Sequence, residues 1–253
     1  MAELAPASIA VLAAVAFLAG TVDAIAGGGG LLTLPALLFA GLPPHLALGT
    51  NKGQSVFGSL ASLARFSAGG LVDPRRAAAA FPLGLVGSLT GAALVLSVPA
   101  GVLRPLVLVL LVSAAAFVAF RPGAAPAGRL ARGALRPAAA AAAALFLGAY
   151  DGFFGPGTGT FLIVAGVALL GDTYTEASAA AKVVNFASNL AAMSLFAARG
   201  VVVWRVALPM GAGELLGSWL GAHLTVRRGD ALVRRVAVLV SVALAAKLAW
   251  DMR

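Results

Sequence analysis

Residues 22–30 read Val-Asp-Ala-Ile-Ala-Gly-Gly-Gly-Gly, and residues 150–158 read Tyr-Asp-Gly-Phe-Phe-Gly-Pro-Gly-Thr. Each stretch follows an apolar segment and carries one aspartate ahead of its glycines. A helix in hydrocarbon is not normally broken in this way, because its backbone groups find no water to bond. Two such breaks at matching places predict loops that line a polar site within a membrane protein.

The composition predicts an all-α polytopic membrane protein. Of the 253 residues, 61% are hydrophobic and 11% are charged, and the mean hydropathy is +1.00. A soluble domain carries about 25% charged residues. Apolar stretches near the ~20 residues that span a bilayer recur along the chain, without the alternation of barrel strands. No soluble domain is expected.

Charge and cysteine content exclude several functions. The net charge is +9, but arginines between apolar spans are topology signals facing lipid, so we expect a lipid bilayer as partner and no nucleic acid. The chain has no cysteine, which excludes thiolate metal sites and cysteine nucleophiles. We predict no catalytic residue, metal or cofactor. The first residues lack the basic start of a cleavable signal peptide, so the first apolar segment is expected to be retained.

The second half of the chain repeats the first. Asp151 and Lys182 occupy the places that Asp23 and Lys52 hold, and a Gly-Ser-x-x-Gly string recurs further on. Each repeat has five helical segments, of which the first two flank the glycine break. The first repeat's flanking segments, about 8–22 and 31–42, are short for full spans. The predicted parts are a first repeat over residues 1–120, a cytoplasmic linker over 121–137 and a second repeat over 138–253.

Arginine positions predict that the two repeats are inverted. In the first repeat, arginines cluster between the third and fourth segments and in the linker; in the second, they cluster between the fourth and fifth. Because arginine-rich connections are cytoplasmic, each repeat has an odd number of crossings and both termini are predicted to be periplasmic. The first cluster holds Arg75, Arg76, Arg121, Arg129, Arg132 and Arg136, and the second holds Arg227, Arg228, Arg234 and Arg235.

The glycine breaks and the segments after them predict an anion site. Exposed amides at a helix start, together with the helix dipole, bind anions; the alternative is close helix packing through small residues. Lys52 and Lys182 each lead a polar face at i, i+3, i+7 spacing, although lysine near a helix start could instead snorkel to the interface. The predicted binding residues are Gly28, Gly29, Gly30, Thr50, Asn51, Lys52, Gln54, Ser55, Gly157, Thr158, Gly159, Lys182, Asn185 and Asn189.

Three carboxyl groups lie within apolar segments, where a charge is costly and a function is the default expectation. Asp23 and Asp151 precede the breaks, and Glu214 has Gly84 as its counterpart in the first repeat. The aspartates could cap the broken helices by accepting from loop amides, or they could bind a coupling ion. Protons are the candidate coupling ion, with Glu214 as a single-copy site.

These motifs resemble the TauE/SafE family of sulfite-exporter-like permeases. The resemblance rests on Asp-Ala-Ile-Ala-Gly-Gly-Gly-Gly from Asp23, Gly-Thr-Asn-Lys from Gly49, the glycine-rich run from Gly148 and Ala-Lys-Val-Val-Asn from Ala181. It implies a multi-pass permease of the bacterial inner membrane that moves small sulfur-containing anions such as sulfite, thiosulfate or sulfoacetate, commonly as export.

The sequence therefore predicts a secondary transporter that works by alternating access around a midplane site between the two breaks. An anion channel or uncoupled pore would share the same lining. An intramembrane aspartyl protease is the enzyme alternative, but the Gly-x-Gly-Asp sequence of that class does not occur. The anion, the direction of transport, the coupling ion and the oligomeric state are left open.

Overall fold

The computed structural model describes residues 4–120 and 135–251, with side chains described for 4–120 and 136–243. This part of the chain forms ten α-helices and no strand. The helices are α1 (Pro6–Ala26), α2 (Gly30–Phe39), α3 (Pro44–Ala68), α4 (Pro74–Ser97), α5 (Ala100–Phe120), α6 (Leu135–Phe153), α7 (Thr158–Ala165), α8 (Tyr174–Ala198), α9 (Trp204–Arg228) and α10 (Asp230–Asp251). A π-helical turn, Gly166–Leu170, continues α7. Most of the predicted linker lies outside the described residues, and α6 already includes its last three.

The all-α polytopic prediction is confirmed. By length and composition, α1, α4, α5 and α8 are each apolar enough to cross a membrane. Large apolar side chains are exposed around the outside, among them Phe120, Phe146 and Leu239. Such a surface suits contact with lipid.

Both predicted breaks are present, between α1 and α2 and between α6 and α7. The prediction that the first segment is short is wrong, because α1 continues through Asp23 to Ala26 and has 21 residues. Glycine at 27, with φ of 76°, ends the helix in a conformation that residues with a Cβ rarely adopt. In contrast, the ten residues of α2 rise only about 15 Å.

Helices α1 and α3 both run parallel to α9. Gly213 of α9 lies against Ala13, and Gly221 lies against Thr21 further along α1; a Cβ at either glycine would overlap the α1 backbone. Along α3, contacts to α9 likewise advance in the same direction, from the start of each helix to its end. Small residues thus allow these backbones to approach closely, as in membrane helix pairs generally.

Helices α6 and α8 pack in the same way along α4. Gly148 of α6 contacts Gly84, and Gly152 contacts Ser88 one turn later. The Ser88 hydroxyl also donates to the carbonyl of Ser188 in α8, at 2.6 Å. The two groups have the same pairings. In one group α9 of the second half packs against α1 and α3 of the first, and in the other α4 of the first half packs against α6 and α8 of the second.

The two groups of helices run in opposite directions. Residues 199–203 join the end of α8 to the start of α9. At the other end, Asp230 follows α9 and accepts from the backbone N–H of Thr175, in the first turn of α8, at 2.9 Å. Helices α8 and α9 are therefore antiparallel. Because α4 and α6 are parallel to α8, and α1 and α3 are parallel to α9, the two groups are antiparallel to each other. The breaks after α1 and α6 consequently approach each other from opposite ends.

Candidate functional site

The two glycine breaks lie directly against each other. A Cβ added to Gly159 would come within 3.0 Å of the Gly27 Cα, and one added to Gly27 would overlap the backbone of Thr160. The Thr160 hydroxyl donates to the carbonyl of Ala26 at 3.2 Å. Side chains larger than hydrogen would push the breaks apart, so their glycines are needed for this contact.

Asp23 spans the first break. Its Oδ1 accepts from the backbone N–H of Gly29 at 3.0 Å, across the turn that separates α1 from α2. This is the capping contact expected of an aspartate beside free loop amides. Gly29 has no room for a side chain, because a Cβ there would lie 2.7 Å from the Asp23 Cβ. The first aspartate therefore helps to hold the broken helix in shape.

Each lysine forms an ion pair with the aspartate of the other half. The Lys52 Nζ lies 2.7 Å from Asp151 Oδ1, and the Lys182 Nζ lies 2.6 Å from Asp23 Oδ2. Both lysines are buried. The alternative interpretation, in which they snorkel to a membrane interface, is therefore wrong for both. A buried charge is tolerated when a partner of opposite sign contacts it. The crossed pairs thus tie α3 to α6 and α8 to α1.

Further polar groups complete these pairs. Asn189 accepts from the Lys52 Nζ at 3.0 Å, and the hydroxyl of Ser188 donates to Asp151 Oδ2. In the other pair, the Lys182 Nζ also donates to the backbone carbonyl of Asp23 at 2.6 Å. The sequence predicted lysines whose positive charge attracts an anion; in the structure, a carboxylate already balances each ammonium.

A small polar cavity lies where the breaks and the ion pairs meet. Its volume is about 30 Å³, the scale of one or two water molecules. A larger apolar recess of about 510 Å³ between α5, α6 and α7 lacks comparable polar groups. The polar cavity is lined by Asp23, Gly30, Asn51, Lys52, Ser55, Asp151, Gly155, Gly157, Thr158, Gly159, Asn185, Asn189 and Glu214.

Comparison with known proteins assigns the family. The family model described as "Sulfite exporter TauE/SafE" matches residues 12–248, nearly the whole chain. The chain belongs to the TauE/SafE family. No solved structure matches it.

Relatives in the TauE/SafE family are named as transporters. A "Probable membrane transporter protein" of Haemophilus influenzae is 39% identical over 249 residues, which cover 96% of this chain and 95% of the relative. "Probable membrane transporter protein ORF9" of Sinorhizobium sp is 36% identical over 252 residues, covering 99% and 96%. "Probable membrane transporter protein YfcA" of Escherichia coli K12 is 38% identical over 248 residues, covering 98% and 92%. These similarities support membrane transport rather than an enzyme activity.

Some residues predicted to bind the anion lie outside the cavity lining. The Thr50 hydroxyl accepts a hydrogen bond from the backbone N–H of Val203 at 3.0 Å, which links α3 to the connection before α9. Gln54 donates to Asn51 Oδ1 at 3.1 Å. Gly28, Gly29 and Lys182 are also absent from the lining, although Gly29 and Lys182 contact Asp23, which lines it.

The structure adds residues to the predicted binding set. Ser188 contacts Asp151, and the Thr33 hydroxyl of α2 donates to Asn51 Oδ1 at 2.6 Å. Ser188 is next to Asn189 on the predicted polar face, and this position is the one feature of the sequence that points to it. Asn185 Oδ1 and Gln54 Oε1 are buried without a hydrogen-bond partner in the described part of the protein. Asn185 lines the cavity, so its side chain has bonding capacity there.

Glu214 enters the cavity from α9. It is buried, and the Ser55 hydroxyl donates to its Oε2 at 3.4 Å, a long contact. Within the part of the chain that the structure describes, no lysine, arginine or histidine forms an ion pair with it. No group of three or more metal-ligating side chains occurs there either.

Charged contacts hold together one end of the bundle. Arg76, at the start of α4, donates to both carboxylate oxygens of Asp172, at 3.0 Å and 2.8 Å. Arg136 of α6 lies 3.6 Å from the same carboxylate. In the connection between α2 and α3, and near the start of α9, buried apolar side chains pack together, among them Leu42 and Val206.

Proposed function

We propose that this protein is a secondary transporter of small sulfur-containing anions, such as sulfite, thiosulfate or sulfoacetate, across the bacterial inner membrane, acting as an exporter. One observation carries the proposal. Both helix breaks, both aspartates and Lys52 border one polar cavity inside an otherwise apolar helical bundle, and Lys182 is linked to it through Asp23. The family description supplies the sulfur-containing anion.

Neutral donors would provide most of the bonding to the anion. Gly159 lies in the first turn of α7, where backbone N–H groups lack helical partners and bind anions. Asn185 lines the same cavity, and its Nδ2 amide hydrogens can donate to an anion there. Because aspartates balance both lysines, the site has no net positive charge. This arrangement favours a compact oxyanion that accepts hydrogen bonds in several directions.

Alternating access fits the small size of the cavity. A volume of about 30 Å³ has no room for a sulfur oxyanion, so binding requires the surrounding helices to move. The antiparallel groups of helices, which contact each other through the breaks, are suited to rocking as inverted repeats. An open pore would instead need a continuous polar path. The aspartyl protease is disfavoured, because each aspartate is held by a lysine.

Flux measurements in proteoliposomes test the proposal. We expect saturable uptake of at least one of radiolabelled sulfite, thiosulfate and sulfoacetate by the wild type. Asn185→Ala should lower it about tenfold, the loss expected when one or two hydrogen bonds to an anion are removed. Thr90→Val on the exposed face of α4 is the control and should retain wild-type flux. Absence of flux for all three anions, or equal flux in Asn185→Ala, would overturn the proposal.

The proposed orientation has its own test. The chain contains no cysteine, so single-cysteine variants need no background substitutions. We expect Arg75→Cys to react with an impermeant maleimide only from the cytoplasmic side. Gly101→Cys, where a Cβ meets open space, should react only from the periplasm. Labelling of both positions from one side would contradict the proposed topology.

A further inference from the structure

Glu214 occupies a space that two glycines provide. A Cβ added to Gly20 of α1 would lie 2.9 Å from the Glu214 Cγ, and one added to Gly58 of α3 would lie 2.6 Å from it. The side chain is 5% exposed and borders the polar cavity. Three helices therefore shape a buried pocket that admits one carboxyl group beside the anion site.

The charges around this carboxyl group are already balanced. Asp23 from α1, Lys52 from α3 and Lys182 from α8 face Glu214, and Asp151 borders the same cavity. The two lysines and the two aspartates form complete ion pairs. A negative charge on Glu214 would thus have no counter-ion in the described structure. An unpaired charge is expensive in this environment, and a bound proton removes it.

The two halves of the protein fill this place differently. In one half, Ser188 of α8 contacts Asp151, and its neighbouring helix α4 has Gly84. In the other half, Gly58 stands at the position that corresponds to Ser188, and α9 supplies Glu214 instead. The third carboxyl group is therefore present once, on the side of the Lys182–Asp23 pair.

We propose that Glu214 is a proton-binding site that couples proton movement to anion movement. The proposal rests on the function proposed above. A proton on Glu214 removes a negative charge beside the anion, so the two ligands bind more tightly together than apart. Linkage makes this effect reciprocal. Proton and anion then cross in the same direction, and each proton lowers by one unit the net charge that crosses the membrane with the anion.

Proton and anion fluxes should be measured in the same proteoliposomes. A trapped pH-sensitive dye reports protons, and the radiolabel reports the anion. Thiosulfate is the preferred probe because, unlike sulfite, it neither gains nor loses protons near neutral pH; sulfoacetate replaces it if thiosulfate is not carried. In the wild type, inward anion flux should acidify the lumen. Glu214→Gln should reduce the acidification about tenfold, within the usual range of coupling factors, while anion-for-anion exchange continues.

Glu176→Gln is the matched control. Glu176 is exposed and belongs to the capping box at the start of α8, where glutamine also functions, so this variant should acidify as the wild type does. Unchanged acidification in Glu214→Gln, or wild-type anion flux without acidification, would overturn the proton site and leave the transporter intact. Absence of any anion flux would instead overturn the proposed function.

A binding measurement covers the outcome in which Glu214→Gln transports nothing. Calorimetric titration of the purified wild type with the transported anion, in two buffers of different ionisation enthalpy, gives the protons taken up on binding. The titration is done at an alkaline pH at which Glu214 has lost its proton in the anion-free protein. There we expect the wild type to take up as much as about one proton per anion bound, as linkage at a single site requires, and Glu214→Gln to take up none. Equal proton uptake by the two proteins, or none by the wild type, would overturn the proposal.

Discussion

The two lysine–aspartate pairs use the same residue types in different surroundings. The side chains of Lys52 and Asp151 are 3% and 6% exposed, and side chains of α8 complete their hydrogen bonds. In the other pair, Lys182 is fully buried but the Asp23 side chain is 20% exposed. Its further contacts are to the backbone of the first break. One pair is thus fixed by side chains and the other by a loop.

This difference favours one pair as the one that would respond to the proposed anion. The Lys182–Asp23 pair is the more accessible, and Glu214 is on its side of the cavity. A change of charge there can alter the loop between α1 and α2, because Asp23 bonds Gly29 across it. Gly155 of the second break packs against the Lys52–Asp151 pair, but among the described residues Asp151 accepts no backbone N–H of that break. We expect this pair to act mainly as a fixed structural contact.

The largest effect is expected from breaking the fully buried pair. Lys52→Ala leaves Asp151 without a counter-ion, which should lower the free energy of unfolding by about 3–5 kcal/mol, the usual effect of removing one partner of a buried pair. Thermal unfolding in detergent measures this loss. Adding Asp151→Asn should recover part of it, because the unpaired charge is removed. A double variant no more stable than Lys52→Ala would contradict the importance of the pair.

Breaking the other pair should have a smaller effect on stability. In Lys182→Ala, Asp23 keeps its hydrogen bond from the N–H of Gly29 and remains partly exposed to solvent. We therefore expect the free energy of unfolding to fall by about 1–3 kcal/mol, the range for one unmade hydrogen bond. The same unfolding assay compares both alanine variants. If Lys182→Ala were as destabilising as Lys52→Ala, the two surroundings would be energetically equivalent.

Exchanging the filling groups tests the difference between the halves directly. Gly58→Ser alone should crowd the Glu214 Cγ and lower stability by about 1–3 kcal/mol, as overpacking does. Combined with Glu214→Gly, the same serine no longer meets the Glu214 side chain, and its remaining close neighbour is the rotatable hydroxyl of Ser218, so stability should return towards that of Glu214→Gly alone. Equal destabilisation in both backgrounds, measured by thermal unfolding, would refute this correspondence.

The smallest effect is expected at Ser188. Ser188→Ala removes one donor to Asp151, which keeps Lys52. We expect a loss of about 1 kcal/mol, the net value of a typical hydrogen bond. Ser194→Ala, at an exposed site later on α8, is the control and should unfold at the wild-type temperature. A loss at Ser188 as large as that for Lys52→Ala would show that the hydroxyl, rather than the ammonium, holds the carboxylate.

The sequence by itself determined the membrane class, the helical fold and the positions of both breaks. These follow from local physics: apolar runs need helices in lipid, and consecutive glycines free the backbone from them. The polar face of α3 and α8 was also visible, because helical spacing places residues three and four apart together. The breaks, their aspartates and this polar face together include most of the residues that line the cavity.

Tertiary structure decided which groups contact one another. No local pattern shows that Lys52 meets Asp151 rather than Asp23, because the pairing depends on how α3 and α8 cross between the halves. The extension of α1 through Asp23 likewise depends on contacts beyond the break. For the same reason, a site predicted as two lysines attracting an anion is, in the folded protein, a balanced set of charges with one carboxyl group left over.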